Sequence, residues 1–138
     1  MAKVISINVS RKKGVKKGPV SAANLIEGVG IEGDAHAMNG KRQVSLLAVE
    51  DIMKVQLKPG DFAENITTEG LDLSAVRICD KIRIGKNILL EISQIGKECH
   101  TRCEIYKNVG DCIMPKKGVF AQVVAGGSIS VGDEISFI

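Results

Sequence analysis

Residues 75–96 read AVRICDKIRIGKNILLEISQIG, and the fold turns on this stretch. It holds two β patterns, AVRICDKIRIG and NILLEISQIG, in which apolar residues alternate with polar ones at the period of a half-buried strand. A third β pattern occupies residues 119–138, VFAQVVAGGSISVGDEISFI. The two segments share a device: in ICDKIRI and in VGDEISF an aspartate leads into a strand of alternating apolar residues straight after a turn.

Working outward, KVISINVS (Lys3 to Ser10) reads as a first strand, with Val4, Ile5, Ile7 and Val9 biased to β-branched types. RKKGVKKG follows, a basic stretch broken by Gly14 and Gly18. Strand-like sequence on both sides favours a solvated hairpin tip over a nucleic-acid arm. QVSLLAVEDIMKVQ is a short strand and then a helix beginning near Ala48, with Val49, Ile52, Met53 and Leu57 spaced for one buried face. LKPGDFAENITTEGLDL reads as turn, short strand, turn.

Many short strands, fifteen glycines and one or two short helices predict a mainly β fold, a closed or nearly closed β-barrel. A doubly wound α/β sheet is the alternative, but its alternating helices are missing. The expected interior includes Val4, Ile7, Leu46, Leu90, Ile92, Val123 and Ile135.

The 138 residues amount to one domain. With 44% apolar residues, 25% charged residues and a net charge of +3, the composition is that of an ordinary soluble globular protein. One Tyr, three Phe and no Trp leave few platforms for stacking bases, so no nucleic-acid partner is expected. Apolar runs are too short for a membrane helix, and the start MAKVISINVSRKKG lacks the features of a signal peptide. The expected compartment is the cytoplasm, where thiols stay reduced. The glycosylation sequons at Asn8 and Asn65 are then chance matches.

Reactive side chains concentrate in residues 96–106, GKECHTRCEIY. A disulfide between Cys99 and Cys103 is disfavoured, because on a helical turn their Cβ atoms would lie about 5–6 Å apart. Zinc has enough potential ligands in Cys99, His100, Cys103 and Cys112, but their spacing matches no paired zinc motif. Burial as small apolar residues is the ordinary fate of free cysteine. It suits Cys79, inside a strand-like run. Cys103 differs, since Arg102 is adjacent and Lys97 and His100 are near, and positive surroundings raise the thiolate fraction. Such a thiolate could attack sulfur, carry a persulfide or ligate a soft metal. His36, in the glycine-rich GVGIEGDAHA, could approach the same barrel mouth together with Asp34.

Taken in order, GVGIEGDAHA, RQVSLLAVE, PGDFAENITTEG, IGKECHTRCEIY, GDCIMPKKGVFAQVVAGG and VGDEI resemble the compact stand-alone MOSC domain, a family named for the C-terminal domain of molybdenum cofactor sulfurase. The resemblance runs from the first strand to the last residue. It implies a β-strand-rich barrel similar to that of pyruvate kinase, and a role in molybdenum cofactor metabolism. The family's hallmark cysteine, usually just after Arg or Pro, carries sulfur or contacts molybdenum. TRC fits it, which assigns that role, including metal ligation, to Cys103, with Cys99 as helper. For the cofactor itself the candidate contacts are Arg102, Lys97, His36, Asp34, Gly33 and Arg42. Backbone amides in the Gly28 to Gly33 and Gly60 loops are further candidates for phosphate oxygens. Where the family often has a turn glycine before an aspartate, this chain has Cys79 before Asp80.

The implied function is a sulfur carrier or cofactor-binding domain, taking sulfane sulfur on a cysteine and delivering it to a molybdenum centre. Expected partners are a cysteine desulfurase or molybdenum cofactor biosynthesis proteins, and a molybdoenzyme acceptor. Pyridoxal phosphate would belong to the desulfurase. Two alternatives stand beside it: a molybdenum-cofactor-dependent oxidoreductase acting on N-hydroxylated compounds, and a non-catalytic interaction module or structural zinc domain.

Overall fold

The computed structural model describes residues 2–12, 17–35, 37, 40–96 and 118–138. Along these run β1 (Lys3–Val9), β2 (Gly18–Val20), β3 (Ala22–Ile26), β4 (Gly30–Ile31), β5 (Val44–Ala48), α1 (Val49–Lys54), β6 (Ile66–Glu69), β7 (Lys81–Ile84), β8 (Ile88–Ile95), β9 (Val119–Ala125), β10 (Gly127–Ser130) and β11 (Ile135–Phe137). A 3₁₀ turn at Leu73–Ala75 precedes β7.

Eight strands form one curled sheet in the order β11-β7-β8-β9-β5-β6-β1-β2, and three more form a small sheet, β10-β3-β4. Every pairing is antiparallel except β5 with β6. The large sheet curls until its ends meet. Val4 N donates to Asp133 O (2.8 Å), Gly132 N to Val4 O (2.7 Å) and Ile135 N to Ala2 O (3.1 Å). The start of β1 thus pairs with the chain leading into β11, while its far end pairs with β2. The barrel-like, mainly β expectation holds, with one short helix among the described residues.

The interior follows the period-two pattern. Val4, Ile7, Leu46, Leu90, Ile92, Val123 and Ile135 are all buried in one cluster with Ile66, Ile82 and Ile84. Each such side chain contributes about 1.5–3 kcal/mol on leaving water. β5 is buried along its whole length because both of its faces are covered. Val44, Leu46 and Ala48 enter the barrel core. Leu47 faces a second cluster with Ile52, Phe62, Ala63 and Phe120, which α1 caps.

Three expectations are corrected. Met53 is 66% exposed, because α1 ends at Lys54 and is too short to bury more than Val49 and Ile52; Leu57 lies beyond it and only edges the second cluster. β7 begins at Lys81 rather than earlier, so Cys79 is an exposed turn residue with φ 77° instead of a buried strand residue. The β1–β2 hairpin exists, with Arg11 and Lys12 exposed, but Lys17 is buried.

One turn occurs four times among the described residues. Asp34, Asp61, Asp80 and Asp133 each donate their amide to the carbonyl three residues back, at 3.1, 3.2, 3.1 and 3.1 Å. The preceding residues, Gly33, Gly60, Cys79 and Gly132, have φ of 84, 90, 77 and 97°, the value a type II turn requires at its third position. In three copies the aspartate Oδ2 also accepts the amide three residues back, from Lys58 (3.1 Å), Arg77 (2.8 Å) and Ser130 (2.9 Å). The shared aspartate-before-strand device of ICDKIRI and VGDEISF is therefore a real repeat, and the strands it launches, β7 and β11, pair with each other.

Candidate functional site

The fourth copy of the turn reaches out of its own loop. Asp34 Oδ1 accepts Lys17 Nζ at 2.7 Å and Ser10 N at 3.1 Å, and both charged side chains are wholly buried. Ala35 N returns a hydrogen bond to Ser10 O at 2.7 Å. The glycine-rich loop is thereby fastened to the base of the β1–β2 hairpin.

Lys17 is held in turn by the KPGD loop. Its amide donates to Gly60 O at 2.9 Å. Any Cβ at residue 60 would meet Lys17 O at 2.3 Å, so only glycine fits this approach. Gly60 N donates to Glu64 Oε2 at 2.9 Å, and Thr67 Oγ1 donates to the same oxygen at 2.7 Å. Glu64 is fully buried with Oε1 unpartnered. Burial pushes its pKa above the usual carboxylate range, and the bonds from Gly60 and Thr67 oppose that rise only in part. The Gly60 amide, a candidate phosphate donor from sequence, is thus already committed to Glu64. The Gly28 amide is likewise given to Val123 O at 2.9 Å.

Asn8 and Asn65 complete this buried polar knot. Asn65 precedes β6, which lies between β5 and β1, and its amide group adds a rung on both sides. Its Oδ1 accepts Ser45 N (3.0 Å) and its Nδ2 donates to Asn8 O (3.2 Å). Asn8 Nδ2 donates to Thr67 Oγ1 (3.2 Å) and Ser6 Oγ to Asn8 Oδ1 (2.8 Å). Neither asparagine has any solvent exposure, in keeping with reading both sequons as chance.

The loop that leaves Asp34 is fastened again at residues 40–43, now on β8 and β9. Gly40 O accepts Gln43 Nε2 (3.1 Å) and Gln122 Nε2 (2.8 Å), and Ser93 Oγ donates to Lys41 O. Gln43 Oε1 accepts Val123 N at 3.0 Å. Arg42 is exposed; its Nε donates to Gln94 Oε1 at 3.4 Å, and its guanidinium carbon stands 5.7 Å from the centre of the Phe120 ring. Gln94 and Phe120 flank the root of the thiol segment, where Gly96 N donates to Gly118 O at 2.7 Å. The strap thus has two described ends, residues 34–35 at the buried ion pair and residues 40–43 at that root, where Arg42 supplies a cation.

Of the residues singled out from sequence, Asp34 and Arg42 lie in this strap and Gly33 in the turn just before it. His36, Lys97, Cys99, His100, Arg102, Cys103 and Cys112 lie outside the described residues. Gly33 lines a cleft of about 370 Å³ with Val9, Val20, Ala23, Asn24 and Glu32. A larger open cleft of about 450 Å³ lies beside α1, lined by Glu50, Asp51, Lys54 and Asp72; it holds no thiol or imidazole and is remote from the strap in sequence. Among the described residues no group of His, Cys, Asp and Glu is arranged to hold a metal, and no helix is long and apolar enough to cross a membrane.

Sequence reasoning missed Lys17, Glu64, Gln43 and Gln122. For Glu64 a signal existed, an acid beside Asn65 in an otherwise apolar approach to a strand. Lys17 gave none, standing among Arg11, Lys12, Lys13 and Lys16.

A strongly curled β sheet with a second small sheet and one short helix among the described residues defines a mainly β, barrel-like domain. The chain belongs to the MOSC domain family, whose model matches residues 31–136; the family is associated with molybdenum cofactor-related proteins. Similar solved structures share the fold. YuaD from Bacillus subtilis superposes with a TM-score of 0.80 at 18% identity, covering 97% of this chain and 93% of that one. YiiM from Geobacillus stearothermophilus gives 0.74 at 20% identity, covering 100% and 75%. YiiM from Escherichia coli gives 0.72 at 21%, covering 100% and 70%. No curated protein matches the chain.

Proposed function

We propose that the chain is a sulfur-carrier or cofactor-binding domain of molybdenum cofactor metabolism, working in the cytoplasm. Beyond family membership, one observation carries this reading. Arg42 sits on Gln94 and Phe120, at the root of the segment that in sequence bears Cys99 and Cys103.

Cys103 is the carrier. Its thiolate, favoured by Arg102, attacks the outer sulfur of a desulfurase persulfide; an S–S bond forms on Cys103, the donor's S–S bond breaks, and the donor leaves as a thiolate. No external oxidant is needed, because the sulfane sulfur moves at constant oxidation state. Cys99 assists.

The molybdenum cofactor combines an anionic phosphate with a metal that accepts thiolate. The exposed guanidinium of Arg42 has no carboxylate partner among the described residues and fits the phosphate; Lys97, Arg102, His36 and Gly33 are the further contacts, with Cys103 the metal ligand. When bound, the cofactor supplies the centre that receives sulfur. The partners are a cysteine desulfurase or cofactor biosynthesis proteins on one side and a molybdoenzyme on the other.

The test is mass spectrometry of the protein after incubation with a cysteine desulfurase and cysteine. Added sulfur is expected on Cys103, lost in Cys103→Ser and only weakened in Cys99→Ser. Loading that survives Cys103→Ser, or maps to Cys112, overturns the assignment.

A further inference from the structure

The geometry points to residues 57–62 as a flap that is hinged at Gln56 and Ala63, latched by the un-ionised carboxyl of Glu64 beneath it, and released when that carboxyl loses its proton. The device depends on no reading of the sulfur chemistry.

The hinges are written in the backbone. Gln56 and Ala63 have φ of 60° and 61°, left-handed values that a side chain makes unfavourable. Gln56 follows α1 where glycine or asparagine is usual, with its amide on Met53 O at 3.0 Å. Ala63 closes the segment, its amide on Gly60 O at 3.0 Å. Strain is thus stored at both ends of the flap and is relieved if it lifts.

Among the contacts that hold the flap down, the Lys17 amide donates to Gly60 O, Phe62 is buried in the second cluster, and Gly60 N donates to Glu64 Oε2. Only the last of these three depends on the proton of Glu64. That residue is wholly buried, with Oε2 shared by Gly60 N and Thr67 Oγ1 and with Oε1 unpartnered. Thr67 belongs to β6, fixed between β5 and β1, so the flap is the side of this site that can move.

The charged groups around Glu64 are Lys58 and Asp61 of the flap, Lys17 with Asp34 beyond Gly60, and Glu69 with Lys3 further along β6. From β1 and β5 come the neutral Ser6, Asn8 and Ser45. None of the cations pairs with Glu64. A hydroxyl in such a place costs far less than an uncompensated carboxylate, and the raised pKa of Glu64 has the same cause. Ionisation therefore favours an open form in which water reaches the carboxylate. The closed form keeps the proton where the open form releases it. Opening is constant below the ordinary glutamate range, rises with pH above it by up to about tenfold per unit, and levels off once the closed form ionises too.

Amide exchange on the full chain across that range tests this, after correction for the intrinsic pH dependence of exchange. The amides of Lys17 and Gly60 are expected to show the extra slope, while those of β7 and β8 do not. Glu64→Gln keeps an oxygen for Gly60 N and cannot ionise, so the extra slope is lost. Gln56→Gly relieves one hinge and slows opening roughly threefold at every pH, with the slope kept. The carboxyl carbon NMR resonance of Glu64 reads its proton in the parent without any variant. The proposal is overturned by a Glu64 that titrates in the ordinary glutamate range, by a parent without the extra slope, or by a slope equal in parent and Glu64→Gln. A Gln56→Gly variant that opens as readily as the parent overturns it as well.

Discussion

The turn at 130–133 and the turn at 31–34 have the same backbone and different consequences. In the first, Asp133 Oδ2 accepts the Ser130 amide, while its own carbonyl accepts Val4 N in the seam that closes the barrel. In the second, Asp34 holds Lys17 and Ser10. A local motif with a satisfied backbone can be reused wherever a strand must be launched, and its side chain becomes available for a longer-range task only where a partner is brought to it. The partner, not the turn, distinguishes a structural copy from one that shapes a site.

Comparing the glycines of these turns gives the largest expected effect. Gly60→Ala and Gly132→Ala both place a side chain at positive φ, but only at residue 60 does the new Cβ strike backbone, 2.3 Å from Lys17 O; at residue 132 nothing lies within 4 Å. Gly132→Ala should cost about 1 kcal/mol from the backbone conformation. Gly60→Ala should cost about 3 kcal/mol, because the clash adds to it. Urea unfolding of both variants checks the difference, and equal costs would mean that the Lys17–Gly60 approach is not tight.

Cys79 gives a smaller effect of opposite sign. It occupies the glycine position of its turn, exposed and at φ 77°. Cys79→Gly relieves left-handed strain but adds freedom to the unfolded chain, for a net gain of about 0.5–1 kcal/mol. A loss of stability on the same urea curve would show that the thiol makes a contact worth more than the strain.

The third effect is a slope with pH. Glu64 has a raised pKa in the folded protein, so the folded state holds its proton where the unfolded chain has released it. Below the ordinary glutamate range both states are protonated and the group exerts no linkage. Stability then falls as pH rises from there through the folded pKa, and becomes flat above it. Glu64→Gln keeps a carbonyl oxygen for Gly60 and Thr67 and cannot ionise, so it should gain on the parent steadily across that window. A stability difference independent of pH would place the titration elsewhere.

The barrel was legible because half-buried strands write their burial at period two. All seven interior residues expected from sequence are buried, from Val4 to Ile135. Where burial depends on length or a distant partner, the pattern is silent. Met53 has helical spacing, but α1 stops one residue later. Cys79 sits among apolar neighbours, but strand pairing begins only at Lys81. Lys17 is the sharpest case, since its burial depends on Asp34 and Gly60, which no local window contains. At the site, Gly33, Asp34 and Arg42 stood out from sequence, and the structure places Gly33 in the turn, Asp34 at its end and Arg42 beside Gln94, whereas the contacts of Asp34 needed the partner to be seen. Glu64 and the two glutamines escaped notice because their value lies in whom they bond across the sheet.

The seam between Val4 and Asp133 carries a consequence for how the chain acquires its shape. Hairpins such as β7–β8 join neighbours in sequence and can form early, whereas the seam joins the first strand to the approach of the eleventh and pays nearly the full entropy of loop closure. Until it forms, the start of β1 and the turn before β11 present unpaired amides and carbonyls, the kind of edge on which a second molecule can pair. Closing the seam therefore removes an edge on which a second molecule could pair.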